Sequence, residues 1–146
     1  MRPLDLGDRW VLPTTDPADT LRTPLTCLDA ATGAVVWAYP IELVETTARS
    51  GTDVLAATAH GEVVAMDPAA GTCRWRWVAD RPFRSVDLLV TRGRVYVVGD
   101  DTLFILDAAT GRPEGDPVTS AGGGPAADED TLYLRIGDEL TAWALP

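Results

Sequence analysis

The stretch LDAATG stands at residues 28–33 and again at 106–111, with a near copy, MDPAAG, at 66–71. Aligned on Asp29, Asp67 and Asp107, the copies lie 38 and 40 residues apart. A degraded fourth copy extends the series. DTLFILDA at 101–108 is echoed by DELTAWAL at 138–145, a shift of 37. A fixed period near 40 residues marks a solenoid or a propeller, according to the secondary structure inside each unit.

Inside each unit the pattern is β. RVYVVGD (94–100) and TLFILD (102–107) are rich in β-branched and aromatic residues. CRWRWV (73–78) alternates, with Trp75 and Trp77 on one face and Arg74 and Arg76 on the other. Short turns, HG at 60–61, DD at 100–101 and GD at 137–138, separate neighbouring strands and read as hairpin loops. No window of ten residues carries a helical period. Each unit is therefore a meander of four antiparallel strands, A to D from the centre outward. The first unit shows B (8–13), C (24–29) and D (34–39). The second shows A (42–48), B (53–58), C (62–67) and D (73–78). The third shows A (85–91), B (94–99), C (102–107) and a weak D (112–118). The fourth shows A (near 121–127), B (131–136) and C (139–145). These are fourteen strands, and RPLDL at 2–6 is a candidate fifteenth.

The repeated turn has a physical logic. The Asp ends strand C, and its carboxylate accepts hydrogen bonds from backbone N–H groups of the turn. Small residues fit the crowded corner. Gly33, Gly71 and Gly111 then take the left-handed conformation that sends the chain back. A Trp follows four residues after the glycine in two copies, Trp37 and Trp75. A large apolar side chain at one place in each unit fills the wedge between radially packed sheets.

The pattern D-x-x-[TA]-G-x-x-x-W, at Asp29 to Trp37 and Asp67 to Trp75, resembles the tryptophan-docking repeat of pyrroloquinoline-quinone-like β-propellers, quinoprotein or BamB-like. The third copy departs from it: Gly115 stands at the Trp position, so that blade's outer strand is expected to be short or irregular. The resemblance implies an all-β propeller of about four four-stranded blades, either half of an eight-bladed ring or a small ring. The whole chain, 1–146, reads as one such domain, with repeats near 7–40, 41–79, 84–118 and 120–146. Quinone enzymes of the family use an adjacent Cys-Cys pair and a carboxylate-ligated calcium with Asn among the ligands. This chain has no Cys-Cys pair and no Asn, so a cofactor-free member with no catalytic or metal residues is expected.

The chain has 146 residues, 46% of them hydrophobic, which suits one domain with a real core. Net charge is −10, so a nucleic-acid partner is not expected. All 12 basic residues are Arg. No apolar run is long enough to span a membrane and the first residues lack a signal-peptide core, so a cytoplasmic protein is expected. Cys27 and Cys73 occupy different repeat positions and read as unpaired, small, buried apolar residues. His60, the only histidine, reads as an exposed turn residue. The acids Asp100, Asp101 and Asp128–Asp130 read as solvated turn residues.

Candidate contact residues come from the connections. DRPFR (80–84) joins strand D to the next strand A, on the face that carries the B-to-C turns. Arg81, Phe83 and Arg84 there form a candidate anchor for a protein partner, since aromatic and Arg side chains favour interfaces. The B-to-C insertion TTDPADTLRTP (14–24) would share that face, through Asp16, Asp19 and Arg22, as would SAGGGP (120–125). The leading expectation is a non-catalytic protein-interaction or scaffold module. The alternatives are a hydrolase or oxidoreductase with a site in the central funnel, near Glu42, Glu45, Arg49 and Asp87, or a degenerate fragment without independent activity. A half ring would leave apolar faces bare, so a homodimer completing the ring is also expected, with RPLDL serving as the outer strand of the partner's last blade.

Overall fold

A computed structural model describes residues 3–14, 18 and 24–145. Every element among them is a β-strand. The first sheet runs β1 (Leu4–Asp5), β2 (Arg9–Pro13), β3 (Leu25–Asp29), β4 (Val35–Tyr39). The second runs β5 (Val44–Ser50), β6 (Asp53–Thr58), β7 (Glu62–Asp67), β8 (Thr72–Val78). The third runs β9 (Val86–Thr91), β10 (Arg94–Gly99), β11 (Thr102–Asp107), β12 (Val118–Thr119). The fourth has three strands, β13 (Ala121–Ala127), β14 (Thr131–Ile136) and β15 (Glu139–Ala144). All neighbours pair antiparallel, so each sheet is one propeller blade.

Two expectations about strand use are resolved here. RPLDL does not reach out to another chain's last blade. Leu4 pairs with Val11 and Asp5 with Trp10, so β1 is the inner strand of its own first blade. The reason is burial: Leu4 and Leu6 pack against the core that joins the first and second blades. The third blade's outer strand is indeed irregular. It pairs with β11 only at Leu103–Val118 and Thr102–Thr119, after one isolated bridge at Leu106–Pro113.

The core lies between blades rather than inside them. Alternating residues of each strand face opposite neighbours. Val11 and Cys27 meet Val54, Ala56, Val64 and Met66 at the first seam. Leu55, Ala57, Val63 and Trp75 meet Val95, Val97, Phe104 and Leu106 at the second. Tyr96, Val98 and Leu103 meet Ala121, Leu132 and Leu134 at the third. Among the described residues no apolar cluster joins the fourth blade back to the first. The chain is an open four-blade arc.

The repeated turn is built alike each time. Asp29 Oδ1 accepts from the N–H of Ala31 and of Thr32, both at 2.9 Å. Asp107 Oδ1 accepts from Ala109 N–H at 2.8 Å and Thr110 N–H at 3.0 Å. Asp67 does the same with Ala69 and Ala70. The glycines sit at φ of 72° (Gly33), 70° (Gly71) and 72° (Gly111). They also leave room for the preceding blade. The Trp37 ring lies on Gly71, where an added Cβ would sit 2.6 Å from Trp37 Cγ, and the Trp75 ring lies on Gly111. Trp37 Nε1–H donates to the Pro68 carbonyl at 2.8 Å, and Trp75 Nε1–H to the Ala108 carbonyl at 2.9 Å. Each indole pins one blade to the turn of the next.

Substituting these glycines separates two costs. Gly33→Ala meets open space and bears only the left-handed strain, about 1–2 kcal/mol. Gly71→Ala and Gly111→Ala should add about 1–3 kcal/mol of overpacking against the indole. Urea unfolding of the three variants should place Gly33→Ala nearest the unsubstituted chain.

The turn carboxylates also predict an acid response. Backbone N–H donors, Thr32 foremost at Asp29 and Ala109 at Asp107, hold both carboxyls below the usual range. A lowered folded-state pKa contributes stability that is present above the unfolded value near 4 and lost as pH falls through the folded value. The urea midpoint should therefore fall on acidification from about pH 5 towards pH 2. In a chain carrying Asp29→Asn and Asp107→Asn that fall should be shallower.

Candidate functional site

The B-to-C turns and the D-to-A connections do share one face. Phe83 N–H donates to the Ala59 carbonyl at 2.9 Å and Ala79 N–H to the Gly61 carbonyl at 2.7 Å, strapping residues 79–83 onto the β6–β7 turn. Asp100, at a φ of 55°, accepts from the backbone N–H of Arg84 at 2.8 Å and of Ser85 at 3.0 Å. The connection is thus held at both ends, by the turns of the second and third blades. Ser120 joins the same face, since its carbonyl accepts Gly137 N–H from the β14–β15 turn. Residues 121–125 instead run inward as β13, with a bulge between Gly122 and Ala126.

The proposed anchor divides. Arg81 and Arg84 are exposed. Phe83 is not: it is 4% accessible, rests against Gly99, and lies 6.0 Å from the Phe104 ring centroid. A phenyl on a connection strapped down at both ends is turned into the second seam, where it gains more from burial than from solvent. Asp16, Asp19 and Arg22 lie outside the described residues. The stem that carries them is closed by Thr14 N–H to the Pro24 carbonyl at 2.9 Å and by a Thr14–Thr26 hydroxyl contact at 2.8 Å. The repeat residues Asp29, Gly33, Trp37, Asp67, Gly71, Trp75, Asp107 and Gly111 occupy the turns and seams described above.

Two hollows open on this side of the arc. One, of about 210 Å³, lies between β8 and the irregular run before β12. Its floor is Phe104 and Ile105, its walls Trp77, Val78 and Pro117, and Arg81 stands on its rim. Trp77 and Phe104 pack at 5.0 Å between ring centroids beneath it. It exists because the third blade has no full outer strand to cover β11. The other hollow, of about 440 Å³, lies at the first seam and is polar. It gathers Tyr39, Glu42, His60, Glu62 and Arg76. Arg76 grips Glu62 with two nitrogens, at 2.9 and 3.0 Å. His60 Nε2 stands 3.5 Å from Glu42, and both side chains are 55% exposed. Burial pushes the Tyr39 phenol up.

Other candidate groups are not brought together. Glu45, Arg49 and Asp87 lie on β5 and β9 and share no hydrogen bond or ion pair. Among the described residues no three His, Cys, Asp or Glu side chains converge in a metal-binding cluster. Asp128 caps its own turn, accepting from Asp130 N–H and Thr131 N–H, and also takes the Tyr133 hydroxyl at 2.9 Å. Cys27 is buried, and burial raises its thiol pKa. Cys73, expected inside, is exposed, with its thiol on the Trp75 carbonyl. It is the second residue of β8, beside the β7–β8 bulge, which turns it away from the seam. No described helix is long and apolar enough to cross a membrane.

Residues 21–115 match the sequence family described as outer membrane protein assembly factor BamB, a family of PQQ-like repeats. The chain belongs to this family. No curated protein matches it significantly. Among solved structures it is similar to BamB from Moraxella catarrhalis, at 23% identity and a TM-score of 0.73, over 96% of this chain and 47% of that one. It is similar to the computationally designed Ika4 protein, at 13% identity and a TM-score of 0.78, over 99% and 89% of the two chains. A europium-containing methanol dehydrogenase matches at 18% identity and a TM-score of 0.65, over 82% of this chain and 24% of that one. The chain thus spans about half the length of that BamB.

Within this BamB-like arc, the repeat made the seams legible in sequence, and the glycine at position 115 flagged the third blade. The groove itself carried no local signal, because its floor and walls come from residues near 77, 81, 104 and 117. The polar hollow was missed for the same reason. Phe83→Ala should behave as a core truncation, costing about 3–5 kcal/mol, rather than as loss of a surface contact. A thermal melt of that variant checks the assignment.

Proposed function

We propose that this BamB-family arc is a non-catalytic protein-interaction module. Its contact surface is the apolar groove between β8 and β12 together with the adjoining face of Arg81 and Arg84. The observation that supports this reading is the groove's make-up. It combines an apolar lining that includes the exposed Val78 and the half-buried Trp77 and Ile105 with an Arg rim on a sheet edge. Aromatic and Arg side chains beside a pocket are the residues that dominate binding at protein interfaces. The family's description, outer membrane protein assembly factor, fits the same class of role. Exposed apolar area beside charge is also a cost that a protein tolerates where a partner covers it.

The test pairs the chain with its captured partner. Val78→Ser and Arg81→Ala are surface changes, expected to move stability by no more than about 0.5 kcal/mol each. Together they should weaken capture at least tenfold, read by titration of the purified partner, while the melting curve stays put. Undiminished binding by the double variant would place the contact elsewhere.

A further inference from the structure

A hollow of about 320 Å³ opens at the first seam. Its lining includes Asp8 and Arg9 where β2 begins, Arg49 near the end of β5, Thr52 in the β5–β6 turn, and Pro68 and Ala69 in the β7–β8 turn. In a four-strand meander the first and third turns lie at one end and the second at the other. The hollow is therefore on the face opposite the β6–β7 turn, away from Arg81 and Arg84. Two guanidiniums line it. Arg9 is fixed, because its Nη1–H donates to the Pro68 carbonyl at 2.8 Å. Its Nε and Nη2 meet no acceptor among the described residues. Arg49 is exposed and makes no hydrogen bond or ion pair. By contrast, Arg74, Arg76, Arg81 and Arg94 each hold a carboxylate, at 2.7, 2.9, 2.9 and 2.6 Å. The acids that flank the hollow in sequence are engaged elsewhere. Arg74 takes Asp53 at 2.7 Å and Asp67 at 3.4 Å, Asp5 accepts Gly7 N–H at 2.7 Å, and Asp29 caps its own turn. Asp8 puts a carboxylate into the lining, yet pairs with neither guanidinium.

We infer that the hollow between Arg9 and Arg49 is a binding site for a phosphate group, free or as a phosphomonoester. Two like charges lining one concave site repel, and an anion between them removes that repulsion. The forked donors of a guanidinium match the oxygens of phosphate or carboxylate. A carboxylate brings one charge and two oxygens. A phosphate dianion brings charge for both arginines and enough oxygens to accept from each, and from the Thr52 hydroxyl as well. The chain's net charge of −10 does not oppose this. A small ion responds to the charges within a Debye length of about 10 Å, whereas a long polyanion meets the whole surface. The site lies on the other face from the groove between β8 and β12, and its test does not depend on that groove.

The probe is inorganic phosphate. The chain is titrated with it at millimolar concentration and fixed ionic strength, at about pH 7.5 where the dianion prevails, and followed by amide NMR. Shifts should centre on the amides of Asp8, Arg9, Thr52 and Ala69. Asp8 and Arg49 are both exposed, so either can be replaced with the melting curve unchanged. Arg49→Ala should weaken binding about tenfold, and Asp8→Asn should tighten it about threefold. A purely structural role for the two arginines would not let removal of an acid improve phosphate binding. Glycerol phosphate, titrated in parallel, separates the two sources. Tighter binding than inorganic phosphate assigns a phosphomonoester and weaker binding the free ion, and either result supports the site. Three results overturn the proposal: no shifts at these amides, shifts unchanged by Arg49→Ala, or acetate binding as tightly as phosphate.

Discussion

An indole N–H pointing at a turn carbonyl holds this arc together. Each blade is a twisted sheet with two apolar faces, and no single sheet can bury both by itself. The seam between blades does that work, and the Trp at the outer strand sets its geometry. The ring fills the wedge where radial sheets diverge. The N–H of the packed indole finds its own partner in a turn carbonyl of the next blade. The glycine beneath the ring is then constrained twice, by its left-handed backbone and by the aromatic plane above it. The aspartate four residues earlier shapes the turn so that carbonyl and glycine face outward together.

Where the repeat lapses, the surface changes character. The third blade has glycine in place of the docking Trp, and its outer strand shrinks to two residues. Arg92 takes over the hydrogen bond to the next blade, but a guanidinium on a long stem does not fill the wedge as an indole does. Phe104 and Ile105 are left as the floor of a groove. A lapse in a structural pattern thus opens the groove proposed above as the contact surface. Among the described residues β15 is the edge of the fourth sheet, and an uncovered edge is where another strand can pair.

The period near 40, the turn chemistry and the β-rich composition were enough to place nearly every strand within a residue or two. Local forces explain this success: hairpins, Asp-capped turns and left-handed glycines are decided by residues adjacent in the chain. The failures share an opposite cause. Phe83 sits on a connection that reads as an exposed tip, yet contacts with Gly99 and Phe104 draw it inside. RPLDL reads as a spare strand, yet Leu4 and Leu6 find the first seam. Cys73 reads as buried, yet a β-bulge turns it out.

By itself the sequence determined the blade: its strands, its turns, and which glycine and tryptophan recur, because these depend on contacts within one unit. The tertiary structure decided what lies between blades. Which face each strand buries, where Phe83 points, and how the groove and the polar hollow assemble all depend on residues some 15 to 60 positions apart. Such contacts form only when neighbouring sheets pack, and no local propensity encodes them.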